Sequence, residues 1–109
     1  MEKIEIHFTP DAIDYLHKLV GILFDKNYFS FEEYAQLYVQ QIYNFIEFEL
    51  KNFPLRKTPK VLQELGSYYA FYKANNRTTW YIFFEKRDSR VLITHISNNH
   101  QEEISHVNV

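Results

Sequence analysis

Three consecutive stretches in the last third of the chain constrain its fold more than any other feature. They read SYYAFYKA, TTWYIFFEK and RVLITHIS, and each is rich in the aromatic and β-branched residues that favour strands. The breaks between them, at Asn75-Asn76 and at Arg87-Asp88-Ser89, have the length of hairpin turns. The sequence therefore predicts an antiparallel meander of three strands.

The first half of the chain carries the patterns of one strand and two helices. The segment KIEIHF alternates apolar and polar residues, as a half-buried strand does. Thr9-Pro10 suits the start of a helix, because threonine caps free amides and proline fits the first turn. A second apolar stripe follows Ser30 and can run to Asn52, with Pro54 as its stop. The short connection predicts that the two helices pack as an antiparallel hairpin.

A last helical turn is predicted between Thr58-Pro59 and Gly66, with Gly66 as a left-handed C-cap. The order strand, helix, helix, short helix and three strands predicts a small α+β domain, in which the helical hairpin covers one face of the meander. This domain is expected to span residues 1–100, and residues 101–109 are expected to form a loose tail.

Composition limits the function classes. The chain of 109 residues suits one domain, and its lack of cysteine excludes disulfides, thiolate zinc sites and cysteine nucleophiles. It begins MEKIEIHF, without the apolar core of a signal peptide, and it lacks the run of about 20 apolar residues that spans a bilayer. The prediction is a cytoplasmic protein without a membrane partner.

The charges are unevenly distributed along the chain. The net charge is −2, but residues 1–55 sum to −5 and residues 56–90 sum to +5. Such asymmetry points to nucleic acid or an acidic partner, or it reflects ordinary solvated faces.

Metal and cofactor chemistry find little support in the residue pattern. The spacing of His95, His100 and His106 matches no compact zinc motif, and two glycines cannot form a Gly-rich phosphate loop. We therefore predict no metal and no cofactor.

Counting along the meander points to a cationic cluster at one end of the sheet. Outward from the turn at residues 87–89, Arg77 and His100 reach the same end. Lys57 and Lys60 would join them if the short helix packs beside the first meander strand. These groups could bind a phosphodiester, stabilise added charge and supply a proton. The alternative is that Arg77 and His100 are solvent-facing residues at hairpin ends.

The element order, the long second helix and the block LRKTPKVLQELGSYYAFYKANNRTTWYIFFEKRDSRVLITHISNNH resemble the RelE/ParE superfamily of type II toxin–antitoxin toxins. The shared layout is a basic linker, LG before the first meander strand, an arginine leading the central strand, and a histidine or tyrosine closing the last.

The resemblance implies a toxin, and in the ribonuclease branch a metal-independent endonuclease that cuts mRNA on the ribosome. On matched positions, Arg77 resembles the phosphate-binding arginine and His100 the terminal acid. Lys57 and Lys60 lie in the basic stretch that supplies cations, and Glu64 is a candidate for the carboxylate that some members use there.

A second branch of the family is compatible with the same layout. ParE-like toxins bind a protein target such as DNA gyrase without this catalytic set, and the net charge of −2 argues against strong general RNA affinity. The expected partners are a cognate antitoxin, in a hetero-oligomer, and either ribosome-bound mRNA or gyrase. An inactive antitoxin-binding domain is the remaining alternative.

Overall fold

One mixed sheet of five strands forms the centre of the molecule, in the order β1-β5-β4-β3-β2. The computed structural model describes residues 3–26 and 29–101. The strands are β1 (Glu5–Phe8), β2 (Arg56–Lys57), β3 (Tyr68–Lys73), β4 (Thr79–Arg87) and β5 (Arg90–Asn98). The predicted antiparallel meander is confirmed as β3, β4 and β5. The sheet is wider than predicted, because β1 adds parallel to β5 and β2 adds antiparallel to β3.

Two helices connect β1 to β2. Helix α1 (Pro10–Asp25) begins as the sequence predicts, because the Ala12 N–H donates to the Thr9 hydroxyl at 3.2 Å. Helix α2 (Glu32–Asn44) continues through a π-helical turn at Phe45–Glu49 and a 3-10 turn at Leu50–Asn52. The helical path therefore ends at the predicted residue, and the α+β class is confirmed.

The larger core lies between the helices and one face of the sheet. Trp80, Ile82 and Phe84 project from β4 on this face, and Ile42 and Ile46 meet them from the second helix and its π-helical turn. Burying such aromatic and branched side chains stabilises the domain by about 1.5–3 kcal/mol each.

A smaller core covers part of the opposite face. Leu62, from the 3-10 segment Lys60–Leu65, packs against Tyr69, Tyr81 and Phe83. Burial raises the pKa of the Tyr81 phenol, and the neighbouring Tyr69 adds to the effect. The sheet is therefore packed on both faces, although only two helices were predicted to cover it.

A β-bulge anchors the 3-10 segment. Phe83 pairs with His95 while Phe84 pairs with Ile93, so Thr94 is the extra residue of β5. The Thr94 hydroxyl donates to the carbonyl of Leu65 at the end of the segment. The strand thus has a local irregularity that holds the adjoining loop.

Gly66 follows the segment in extended backbone, with φ 160°, so its predicted role as a left-handed C-cap is wrong. What requires glycine is space. A Cβ at this position would lie 2.7 Å from the Phe84 nitrogen and 2.7 Å from the Thr94 hydroxyl oxygen.

The buried indole of Trp80 has a specific partner on α2. Its N–H donates to the Tyr38 hydroxyl at 2.9 Å, and the two rings meet edge to face. Burial raises the pKa of the half-buried Tyr38 phenol, while the hydrogen bond from Trp80 acts in the opposite direction.

Replacing Tyr38 with phenylalanine should lower the free energy of unfolding by about 1–2 kcal/mol, because the buried Trp80 N–H loses its acceptor. Tyr34→Phe is the matched control, since Tyr34 is exposed on the same helix. Denaturant unfolding at neutral pH measures both. Because the folded pKa of Tyr38 is raised, its protonation favours folding below about pH 10, and this contribution fades at higher pH. Above about pH 10, the difference in free energy of unfolding between wild type and Tyr38→Phe should therefore become smaller. Equal free energies of unfolding at neutral pH would contradict the hydrogen bond from Trp80 to Tyr38.

Two further predictions concern the ends of the chain and the membrane. The predicted tail 101–109 lies outside the described residues except for Gln101. Within residues 3–26 and 29–101, no helix combines the length and apolarity needed to cross a bilayer.

Candidate active site

The turn between β3 and β4 is built around one asparagine side chain. Asn75 Oδ1 accepts the N–H of Arg77 at 2.8 Å and the N–H of Thr78 at 2.9 Å. The Ala74 N–H also donates to the Thr78 carbonyl at 3.0 Å and closes the turn. Asparagine commonly hydrogen-bonds backbone a few residues further on in this way. The turn fixes the Arg77 backbone and leaves that residue exposed at its tip.

A second asparagine turns the chain at the end of β5. Asn98 Oδ1 accepts the N–H of His100 at 2.9 Å, and the Asn98 carbonyl accepts the N–H of Gln101 at 3.1 Å. His100 therefore leaves the strand in a defined direction, stabilised by one hydrogen bond to the Asn98 side chain and one to the Asn98 backbone.

Asn99 joins the two turns. Its Oδ1 accepts the N–H of Thr79 at 2.9 Å, and its Nδ2 donates to the Arg77 carbonyl at 3.0 Å. Its own N–H donates to the Thr79 carbonyl at 3.1 Å. These bonds bridge the chain before β4 and the chain after β5, so that Arg77 and His100 belong to one connected unit.

The His100 ring contacts the β4 side of this unit. Its Nε2 lies 3.1 Å from the Thr78 hydroxyl, and either group can donate depending on the histidine tautomer. The residue is exposed, so the imidazole remains accessible to a ligand. The predicted arrival of Arg77 and His100 at one end of the sheet is therefore confirmed.

This sheet end is called the asparagine clamp below, and it comprises Asn75, Arg77, Thr78, Asn98, Asn99 and His100. Arg77 and the His100 imidazole are both exposed there, and several hydrogen bonds hold the backbone that carries them. A guanidinium binds phosphate oxygens with two parallel hydrogen bonds, and an imidazole can donate or accept a proton near neutral pH. The arrangement suits the binding and cleavage of a phosphodiester.

The predicted convergence of Lys57 with Arg77 is wrong. Lys57 pairs with Tyr68 at the start of β3, whereas Lys73 at the end of β3 pairs with Thr79 beside the asparagine clamp. Five steps along a strand correspond to about 17 Å. Because β2 pairs with Tyr68 and Tyr69 at the start of β3, the basic linker meets the sheet at the end far from the asparagine clamp.

Lys60 and Glu64 lie on the 3-10 segment Lys60–Leu65 that follows β2. The Thr58 N–H donates to the Ser67 carbonyl at 3.0 Å, so the chain leaves β2 beside the start of β3, and Lys60 begins the segment two residues later. Glu64 is exposed on the same segment, beside Leu65, which Thr94 holds near the middle of β5. Neither residue has a described contact with Arg77 or His100.

Sequence reasoning missed the parts of the clamp that position these groups. The three asparagines were visible as turn-forming residues, but their bonds to particular backbone atoms depend on strand register. The contact between Thr78 and His100 had no signal in the sequence, because the bulge at Thr94 determines it.

Within residues 3–26 and 29–101, no three histidine, aspartate or glutamate side chains come together in a way that could hold a metal ion.

The chain was compared with models of known protein families, with curated proteins and with solved structures, and none of the three comparisons gives a match.

Proposed function

We propose that the protein is the toxin of a type II toxin–antitoxin system and acts as a metal-independent endoribonuclease on ribosome-bound mRNA. The observation that supports this function best is the asparagine clamp, in which Asn99 bridges the turns that carry Arg77 and His100. The order of helices and strands agrees with the RelE/ParE resemblance.

In the proposed reaction, the 2′-oxygen of the RNA attacks the adjacent phosphorus and the bond to the 5′-oxygen breaks. Arg77 would neutralise the charge that builds up on the phosphoryl oxygens. His100, in its protonated form, would donate a proton to the departing 5′-oxygen. The 2′-hydroxyl proton would pass to solvent water, because Lys57 lies at the far end of the sheet.

The net charge of −2 is compatible with an RNA substrate that the ribosome, rather than this protein, holds in place. RNA affinity grows with the number of phosphates that lysine and arginine neutralise, and this chain has a net charge of −2. The ribosome would hold the mRNA in place, and the toxin would contribute Arg77 and His100. A cognate antitoxin would be the expected protein partner.

Expression of the chain alone in bacteria should arrest growth, and purified protein should cleave ribosome-bound mRNA. The measurement is growth after induction, together with primer extension on mRNA in a translation mixture. An inducible vector without the gene is the control. Growth equal to that control, with soluble protein confirmed, would contradict the toxin proposal.

A ParE-like toxin that binds a protein is the second candidate, and one feature favours it. Tyr34, Leu37 and Phe48 are large apolar side chains that stay exposed on the outer side of α2 and its π-helical turn. Such a stripe is typical of surfaces that bind protein. Growth arrest with inhibited DNA supercoiling and intact mRNA would select this candidate.

A further inference from the structure

A small apolar cleft opens at the end of the sheet opposite the asparagine clamp. It lies on the helix-bearing face, where the 3-10 turn after α2 passes the edge of the sheet, and its volume is about 130 Å³. A cavity of about 150 Å³ holds one benzene molecule, so this space suits one large apolar side chain. The apolar lining consists of Ile4, Ile6, Leu50, Phe53, Leu55, Phe84 and Val91.

Two lysines complete the lining of this cleft. Lys51 comes from the 3-10 turn and Lys86 from β4, and both are exposed. Among the described residues, neither lysine has a carboxylate within ion-pair distance. Leu55, also in the lining, is 56% exposed although it is a large apolar residue. Lys51, Lys86 and Leu55 are called the lysine cleft below.

More cations lie on the chain that follows Leu55. Arg56 and Lys57 form β2 and are exposed, and Arg56 places its guanidinium 5.6 Å from the centre of the Phe71 ring. Arg56 pairs with Tyr69 and lies over Phe71, on the face opposite the cleft, whereas Lys57 pairs with Tyr68, which packs on the face that carries the cleft. Lys57 therefore adds positive charge beside the cleft, while the cleft itself accepts an apolar group.

We propose that the lysine cleft binds an acidic segment of a partner protein that inserts one leucine-like or phenylalanine-like side chain between Lys51 and Lys86. Carboxylates on either side of that side chain would pair with the two ammonium groups. Charge complementarity of this kind selects partners and speeds their encounter. The segment would continue along β2, where Lys57 adds positive charge.

The chemistry of the cleft favours protein over RNA as the ligand. Single-stranded nucleic acid binds by stacking its bases on exposed aromatic rings. Here Phe84 is buried, and the partly buried Phe53 ring packs edge to face against Phe45 and Phe71, so the exposed apolar residue of the cleft is the aliphatic Leu55. A leucine or phenylalanine side chain of a peptide matches this surface, and a nucleobase does not.

The inference rests on the proposed function only where it identifies the partner as an antitoxin. The register separates the lysine cleft from the asparagine clamp, since Lys86 lies near the Arg87–Arg90 turn and Thr78 lies before the other end of β4. A partner could therefore hold the protein at the cleft and leave Arg77 and His100 uncovered.

The test is fluorescence anisotropy with a labelled peptide in which leucines alternate with pairs of glutamates. We expect saturable binding to the wild-type chain that weakens as salt increases. The double variant Lys51→Glu/Lys86→Glu should bind at least about tenfold more weakly, because attraction becomes repulsion. Lys73→Glu is the matched control, since Lys73 is an exposed strand lysine at the other end of the sheet. It should bind the peptide like wild type.

Two further probes test the apolar part of the site. A peptide with serine in place of leucine should bind more weakly than the original, and Leu55→Ser should weaken the original peptide. Equal binding of the two peptides, equal binding by the double variant, or no saturable binding to wild type would overturn the proposal. Tighter binding of a labelled single-stranded RNA that the double variant abolishes would overturn it in favour of a nucleic-acid site. Because none of these measurements uses toxicity, they can fail while the proposed function holds, and the reverse is also true.

Discussion

Replacing His100 with alanine should reduce RNA cleavage by about 10²–10⁴-fold, the usual effect of losing a general acid. The backbone of the asparagine clamp should persist, because Asn98 and Asn99 make its bonds through their own side chains. The free energy of unfolding should therefore change by no more than about 0.5 kcal/mol, as expected at an exposed position. Cleavage of ribosome-bound mRNA and denaturant unfolding are the two measurements.

Matched variants separate proton transfer from other effects. His100→Gln can keep a hydrogen bond to Thr78 but cannot serve as the acid, so it should be as inactive as His100→Ala. His17→Ala removes an exposed histidine from α1 and should leave cleavage unchanged. Arg77→Ala should also abolish cleavage, through lost charge stabilisation. If His100→Ala remains fully toxic while Arg77→Ala does not, the ribonuclease proposal fails and the protein-binding toxin replaces it.

Replacing Gly66 with alanine should destabilise the protein by about 1–3 kcal/mol, because overpacking displaces neighbouring groups. The added Cβ would lie 2.7 Å from the Phe84 backbone nitrogen, which cannot move without disturbing β4. It would also meet the Thr94 hydroxyl, which holds the carbonyl of Leu65. Chemical denaturation of the purified variant measures the change.

Gly21 supplies the opposite control. It lies inside α1, and a Cβ there would meet no atom within 4 Å. Alanine should stabilise the helix by about 0.5–1 kcal/mol, because glycine loses more backbone freedom on folding. The two substitutions make the same chemical change with opposite expected signs. A Gly66→Ala variant as stable as wild type would contradict the close approach of this loop to the bulge.

The strands that follow each other along the chain were predictable, and their exact pairing was not. The two-residue loop of Asp88 and Ser89 sets the first pair of the hairpin, Arg87 with Arg90. Counting outward from this pair would place His100 opposite Arg77. The extra residue at Thr94 shifts the register by one, so that His100 reaches Thr78. Bulges depend on packing beyond the strand itself, and here that packing involves Gly66 and Leu65.

Local sequence patterns could not predict the positions of the two edge strands, β1 and β2. The alternation in KIEIHF predicts a strand but carries no information about its neighbour or direction. Strand β2 has only two residues, Arg56 and Lys57, so it has no period to detect. Its antiparallel pairing with β3 decides that Lys57 lies far from Arg77. The net charge of residues 56–90 therefore adds together cations, such as Lys57 and Arg77, that lie at opposite ends of the folded sheet.

The pairing of β1 with β5 also has a consequence for how the protein folds during synthesis. Glu5 lies beside Arg90, so this ladder joins segments 85 positions apart in the sequence. Contacts this distant close late, because the chain must first lose the entropy of a long loop. On a translating ribosome, the helical hairpin emerges first and must wait, with its apolar side uncovered, for the strands that will receive it. His100 follows β5, so the nascent chain stays without its proposed acid until the receiving sheet has also been made.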